Sequence, residues 1–187
     1  MALVSFLDKT DKQGQLMLAF AKGNAKAFET LYSHFKAPLY RFFLRQCGSQ
    51  PLAEELYQEL WMRVIKAREN YKHTAKFSTW LYRIAHNLLI DHFRKAELDA
   101  DEIDDDSLAD TSFNNPEHII ASQEKIVRFL TLLHNLPDEQ REVFLLKEEV
   151  GLSLEEVAKI TETSFETTKS RLRYAIKKLK QSLEDAA

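Results

Sequence analysis

Apolar residues recur along this chain at helical spacing, and nowhere does a two-residue alternation persist. Asn24 can cap a helix running toward Arg45, with Phe28, Leu31, Tyr32, Phe35, Leu39, Phe42 and Phe43 roughly on one side. Cys47-Gly48-Ser49-Gln50 reads as a turn, and Pro51 suits the first turn of a helix ending near Arg68. Asn70 to Lys76 breaks the pattern. The best amphipathic stripe follows: Phe77, Trp80, Leu81, Ile84, Ala85, Leu88 and Leu89. Asn115-Pro116 restarts a helix to about His134, and Leu136-Pro137-Asp138 opens another toward Gly151. Ser153–Glu156 and Thr163–Glu166 have the capping-box pattern and predict a short helix to Ile160 and a longer one to about Leu183. The expected fold is all-α.

Charge divides the same chain into three blocks. Residues 1–95 carry 15 basic and 8 acidic side chains, residues 96–123 no basic and 9 acidic, and residues 124–187 11 basic and 12 acidic. A basic block and a nearly neutral one therefore flank an acidic bridge, which suggests two helical domains and a linker. The boundaries expected are 1–95, with an N-terminal extension over 1–22, then a flexible acidic linker over 96–116, then 117–187.

At 187 residues with 44% apolar content, the chain can bury cores in both blocks. Its 4 Gly and 4 Pro favour helices and leave little for phosphate-cradling loops. No Gly-rich nucleotide motif, nucleophile elbow or His/Cys zinc spacing occurs, so neither an enzyme nor a metal or other cofactor is expected. Asp99 to Asp106 lacks the Gly and the closing Glu of a calcium loop. Residues 1–10 lack the basic start and cleavage site of a signal peptide, and no apolar run is long enough to span a membrane. The single Cys47 points to a reducing, cytoplasmic compartment and reads as structural.

The last two helices read as a helix-turn-helix. One side of the final helix is apolar through Phe165, Leu172, Ala175, Ile176, Leu179 and Leu183. The other carries Lys169, Arg171, Arg173, Lys177, Lys178 and Lys180, against one early acid, Glu166. Such a helix can enter a major groove, with its early side chains at base edges and its cations on phosphates. Leu136-Pro-Asp-Glu-Gln-Arg-Glu-Val-Phe-Leu-Leu146, Gly151-Leu-Ser-Leu-Glu-Glu-Val-Ala158 and Thr167-Thr-Lys-Ser-Arg-Leu-Arg173 resemble region 4 of the extracytoplasmic-function (ECF) sigma factors, bacterial RNA polymerase specificity subunits of the sigma-70 family. The resemblance implies a −35 DNA set of Ser164, Thr167, Thr168, Lys169, Ser170, Arg171, Arg173 and Lys177. Where that family often has Gly, near 162 and 166, this chain has Glu. A non-Gly residue then bears any positive φ in the turn, and two carboxylates sit beside the DNA path. Glu166 suits the positive end of its helix.

The resemblance extends to Phe28-Glu-Thr-Leu-Tyr32, Pro38-Leu-Tyr-Arg41, Ala53-Glu-Glu-Leu-Tyr-Gln-Glu59 and Phe77-Ser-Thr-Trp-Leu-Tyr-Arg-Ile-Ala-His-Asn87, which are similar to sigma region 2. The helix from Pro51 buries Leu52, Leu56, Leu60, Trp61, Val64 and Ile65. Its other side shows Glu54, Glu55, Gln58, Glu59 and Met62, an acidic stripe that would repel DNA and suits a basic protein partner. The family assigns such a surface to the clamp helices of the polymerase β′ subunit, with region 4 on the β flap. Loop 70–76 and the helix after it offer Tyr71, Lys72, Lys76, Arg83, Asn87, Asp91 and Arg94. Arg and Asn can donate to phosphates and base edges, and Tyr71 can stack an unstacked base or simply cover the core edge. The family implies a −10 non-template base flipped out in this loop. Trp80, on the apolar stripe, reads as core.

The expectation is thus a region 2–linker–region 4 protein that takes core RNA polymerase to −35 and −10 promoter elements, with an anti-sigma factor among its partners. Two other readings stay open from the residues themselves. One is a stand-alone helix-turn-helix regulator whose N-terminal helices bind a ligand or dimerise. The other is an all-α nucleotide hydrolase, which would need an acidic or metal site that the sequence does not present.

Overall fold

The computed structural model describes residues 11–101 and 121–184, with side chains over 11–95 and 126–182. Among these residues every regular element is helical. In chain order they are α1 (Lys12–Ala21), α2 (Ala25–Cys47), α3 (Gln50–Ala67), α4 (Phe77–Asp101), α5 (Ala121–His134), α6 (Asp138–Phe144), α7 (Leu154–Ile160) and α8 (Phe165–Glu184). A 3₁₀ turn, Arg68–Asn70, closes α3, and a π turn, Leu145–Glu149, extends α6.

The boundaries follow local chemistry. Asn24 Oδ1 accepts the Ala27 amide at 3.3 Å and opens α2. Gly48 closes it with φ 71°, a left-handed cap that glycine adopts without a Cβ penalty. Pro38 lies inside α2, where it removes one backbone donor. The helix continues because Phe35, Leu39, Phe42 and Phe43 anchor both sides of it in the core. α3 begins with Pro51 in its first turn. The Ser153 box is complete: Ser153 Oγ accepts the Glu156 amide at 3.2 Å, and Glu156 Oε2 accepts the Ser153 amide at 2.8 Å.

Three expectations change. The extension over 1–22 contains α1, which packs into the first bundle through Met17. Just before it, Asp11 Oδ2 accepts the Phe77 amide at 2.6 Å and meets His73 Nε2 at 3.0 Å, so this segment fastens the 71–76 loop to the start of α4. The cap of α8 is Ser164, whose Oγ accepts the Thr167 amide at 3.1 Å, one residue later than the expected Thr163. Thr163 instead pairs its hydroxyl with those of Thr161 and Thr168, at 3.1 and 2.9 Å. Finally, α4 runs to Asp101 and so enters the span expected as linker; residues 102–120, which hold its densest acids and the Asn115-Pro116 restart, lie outside the described residues.

The core of the N-terminal bundle is lined by Leu31, Leu39, Phe42, Phe43, Leu60, Val64, Phe77, Leu81, Tyr82 and Leu89. Each buried Leu contributes about 1.5–3 kcal/mol by leaving water. The C-terminal bundle closes over Leu133, Val143, Leu145, Leu146, Val157, Ile160 and Ala175. The two bundles touch. α4 lies against α7, and α2 against α5 and α6. α4 therefore has two inner sides: the apolar stripe faces its own bundle, while Thr79, Arg83 and His86, at i, i+4 and i+7, face the other. No helix among the described residues is long and apolar enough to cross a membrane.

Candidate nucleic-acid and polymerase interface

The final helix presents most of the expected cations. Ser164, Thr167, Lys169, Arg173 and Lys177 are exposed and Ser170 is half-buried. Arg173 lies over the Tyr174 ring, 5.2 Å from its centroid. Arg171 is half-buried, and its Nη2 donates to Glu139 Oε2 at 2.6 Å. Thr168 departs from the expected set: it is fully buried, and its hydroxyl donates to the Ser164 carbonyl at 3.0 Å. Its position at i−4, i−7 and i−11 from Leu172, Ala175 and Leu179 puts it on the inner stripe, so it shapes the turn and faces away from any DNA on the outer side.

The residues expected to read the −10 strand separate into two places. Lys72 and Arg83 line a cavity of about 230 Å³ with Thr74, Ala75, Thr79, Trp80 and, from α7, Lys159. Lys76 is exposed beside it and Asn87 is exposed one turn beyond Arg83. Asp91, two turns beyond Arg83, lies instead in a groove between α3 and α4, paired with Arg63 at 3.8 Å and Arg94 at 3.6 Å. Tyr71 is only 8% exposed. Its ring packs edge-on against Trp80 at 4.9 Å and Phe77 at 6.2 Å, and burial raises its hydroxyl pKa. It covers the core edge, the second of its two sequence readings. Trp80, read as core, is half-buried and contributes a wall to the cavity. Trp80 is the aromatic ring that lines this cavity.

Glu54, Glu55, Gln58, Glu59 and Met62 are all exposed along α3, and Met62 keeps 49% of its surface open. Gln50 donates to Glu54 at 3.0 Å and Arg63 to Glu59 at 2.9 Å, which holds two of the acids in place. The bond from Arg63 lowers the Glu59 pKa, so this carboxylate stays charged. Glu55, Gln58, Glu59 and Met62 share the α3/α4 groove with Leu88, Asp91, His92 and Lys95.

Periodicity gave no sign of the polar seam between the bundles. Glu156 Oε1 meets Lys76 Nζ at 3.0 Å and Thr79 Oγ1 at 3.4 Å. Arg83 pairs with Glu162, and Arg45 with Glu149. His86 Nδ1 lies 2.8 Å from Glu142 Oε1, with both residues buried. Gln46 Nε2 donates to the Asp138 carbonyl at 3.1 Å. Burial alone would raise the Glu156 carboxyl pKa, but the Ser153 amide and Lys76 outweigh it and the pKa is lowered. Glu162 sits at φ 52°, as expected for a non-Gly residue in that turn.

The two bundles match known proteins in order and extent. The family description Sigma-70 region 2 matches residues 31–98, and Sigma-70, region 4 matches residues 126–179. The ECF RNA polymerase sigma factor SigW of Bacillus subtilis is 32% identical over 175 residues, covering 88% of this chain and 92% of that protein. The ECF RNA polymerase sigma-E factor of Escherichia coli is 31% identical over 163 residues, covering 81% and 83%. A solved structure of CnrH with the cytosolic domain of CnrY shares the fold at TM-score 0.70 and 22% identity, over 94% of this chain and 99% of that one. The sigma factor RpoE of Bartonella quintana, solved with the anti-sigma factor NepR, gives TM-score 0.69 and 24% identity over 86% and 98%.

A region 2 bundle followed by a region 4 helix-turn-helix defines a sigma-70-family transcription initiation factor. Within that family the chain belongs to the extracytoplasmic-function sigma factors, which join core RNA polymerase and direct it to particular promoters.

Proposed function

We propose that three separate surfaces divide this work. The cation-bearing side of α8, with Lys169, Arg171, Arg173 and Lys177 behind Ser164 and Thr167, reads the −35 duplex. The cavity of Lys72, Arg83 and Trp80, with Lys76 and Asn87 at its rim, holds the melted −10 non-template strand. The acidic stripe Glu54, Glu55, Gln58, Glu59 and Met62 docks on the β′ clamp helices. The observation that carries this division is the segregation of charge: exposed acids crowd one side of α3, while exposed cations gather at the cavity and along α8. Polyanionic DNA and a basic protein helix select opposite signs, so one chain can hold both without competition.

Strand capture here is binding, with no chemistry on the base. Unstacking a base costs a few kcal/mol, and contacts in the pocket must offset it. The indole of Trp80 offers a face for stacking, and Lys72 and Arg83 offer charge for the phosphates on either side. Region 4 on the β flap would set the distance between the two readings. The sigma factor solved with the anti-sigma factor NepR supports an anti-sigma factor as a partner of this chain.

Run-off transcription with purified core tests the reading. Glu55→Lys/Glu59→Lys should fail to compete with the wild-type chain for core while keeping its helicity, since both groups face solvent. Equal competition overturns the clamp assignment.

A further inference from the structure

The loop between α3 and α4 alternates. Tyr71 and His73 are buried, as is Phe77 at the start of α4, while Lys72, Thr74 and Lys76 are exposed between them. An extended segment sends neighbouring side chains to opposite sides. Whatever holds residue 73 inward therefore sets where 72 and 74 point, and Lys72 and Thr74 both line the cavity assigned above to the −10 strand. His73 is held by Asp11, 62 residues upstream. We propose that Asp11 and His73 are positioning residues for strand capture: they touch no DNA themselves, and their contact aims Lys72 and Thr74 into the cavity. The proposal rests on the strand-reading role given above to that cavity.

Three observations carry it. First, the contact has a fixed direction. Asp11 Oδ2 lies 3.0 Å from His73 Nε2, with both side chains buried. A carboxylate only accepts, so Nε2 carries the proton and donates. The same oxygen accepts the Phe77 amide at 2.6 Å, so one atom ties the middle of the loop to the first residue of α4. A buried apolar residue at 73 would hold the loop down without fixing its rotation, because apolar contact is non-directional and a hydrogen bond is not. Second, the chain turns tightly around His73. The Thr74 amide donates to the Lys72 carbonyl at 2.8 Å, which closes a three-residue turn with His73 at its centre. Third, α1 is shaped to receive the ring. Gly14 faces it, and a Cβ there would run into Nε2 and Cδ2 of His73. The His73 ring stacks on Tyr71 with centroids 6.3 Å apart, and Tyr71 packs on Trp80, the aromatic wall of the cavity.

Asp11 thus reaches the cavity through the turn and through the ring stack. All of these residues belong to the N-terminal bundle, so the arrangement does not depend on the seam with region 4.

The test is permanganate footprinting of a linear promoter by core polymerase carrying each variant of the full chain, compared at equal amounts of complex. His73→Leu fills the space and removes the donor, and it should lower thymine reactivity at −10 about five- to ten-fold. His73→Gln places an N–H donor where Nε2 stood and should bring reactivity back to within about two-fold of the wild-type chain. Asp11→Ala should share the defect, and adding His73→Leu to it should change little, because both substitutions remove one contact. Where Asp11→Ala does not fold, the two His73 variants carry the test. Phe43→Leu, a core substitution near the far end of α2, lowers stability away from the loop and should keep the footprint. Normal reactivity in His73→Leu, no recovery in His73→Gln, or an equal defect in Phe43→Leu overturns the positioning role. Lys72→Ala/Arg83→Ala, run alongside, separates this role from the reading beneath it. If that variant loses the −10 reactivity and His73→Leu keeps it, the positioning role alone fails. If that variant keeps normal reactivity, the strand is read elsewhere and both fail.

Discussion

Glu162 holds a left-handed backbone at φ 52° and lays its carboxylate on the guanidinium of Arg83, 79 residues away in sequence. A single turn residue thus joins the region 4 bundle to the region 2 bundle. Its backbone strain and its ion pair can be pulled apart by substitution. Glu162→Ala and Glu162→Gly both lose the carboxylate, but only Gly is relaxed at this φ. The Gly variant should be more stable than the Ala variant by about 1 kcal/mol in urea unfolding. Equal stabilities would mean that the turn carries no strain.

Thr168 and Lys169 are neighbours with opposite fates. Thr168→Val removes a buried hydroxyl bonded to Ser164 and Thr163 and should cost about 1–2 kcal/mol of stability, with −35 duplex affinity kept once the protein is folded. Lys169→Ala, on the exposed side, should leave stability within about 0.5 kcal/mol and weaken duplex binding. Thermal unfolding and anisotropy on the same samples check both. A duplex defect in folded Thr168→Val alone would reverse the assigned faces.

Gly14 marks how tightly the N-terminal segment is built in. A Cβ there would lie 2.3 Å from His73 Nε2 and 2.7 Å from Asp11 Oδ2, and Asp11 also holds the Phe77 amide. Helix propensity favours Ala by up to about 1 kcal/mol. Displacing this buried polar pair outweighs it, so Gly14→Ala should destabilise by a net of about 1–3 kcal/mol. Denaturant melts decide, and a stabilised variant would show that α1 is loosely attached.

Cys47 sits at the seam, half-buried near Arg141 and Asp138. Burial pushes its thiol up to about 12, against Arg141, which acts the other way. Its thiolate fraction at neutral pH should then be about a thousand-fold below that of an open cysteine, and alkylation correspondingly slow until the protein unfolds. The sign for stability follows. Below the ordinary thiol range both folded and unfolded chains keep the proton and Cys47 has no effect. As pH rises through about 9 toward 12 the unfolded thiol ionises first, and stability is lost. Cys47→Ser should flatten that alkaline loss. Rapid alkylation of the native chain would contradict the burial.

What the sequence made legible was whatever repeats. The stripes of α2, α3 and α4, the Asn24 cap, the Ser153 box and the positive φ at Glu162 were all readable, because each depends on spacing or on a residue's own backbone preference. α1 leaves no such signal, because its two buried residues, Gly14 and Met17, are too few to make a stripe. Periodicity places the Trp80 ring on the apolar face without saying how deep it lies, and the ring is half-buried. Thr168 comes with the family motif Thr167–Arg173, which says nothing of its inner register. The seam was invisible for a different reason. Thr79, Arg83 and His86 form a polar row like any solvent-facing one, and their partners Glu156, Glu162 and Glu142 lie 56 to 79 residues away.

The most direct measurement of the division of labour is permanganate footprinting of a linear promoter bound by core polymerase carrying each of two variants. Lys169→Ala/Arg171→Ala should lower the amount of complex, with discrimination of about 1–3 kcal/mol lost wherever a base is read, while complexes that do form show the normal pattern of unpaired thymines. Lys72→Ala/Arg83→Ala should leave the −35 duplex contact in place and lose the thymine reactivity at −10. The same defect in both variants, or a normal −10 footprint from Lys72→Ala/Arg83→Ala, would contradict the account.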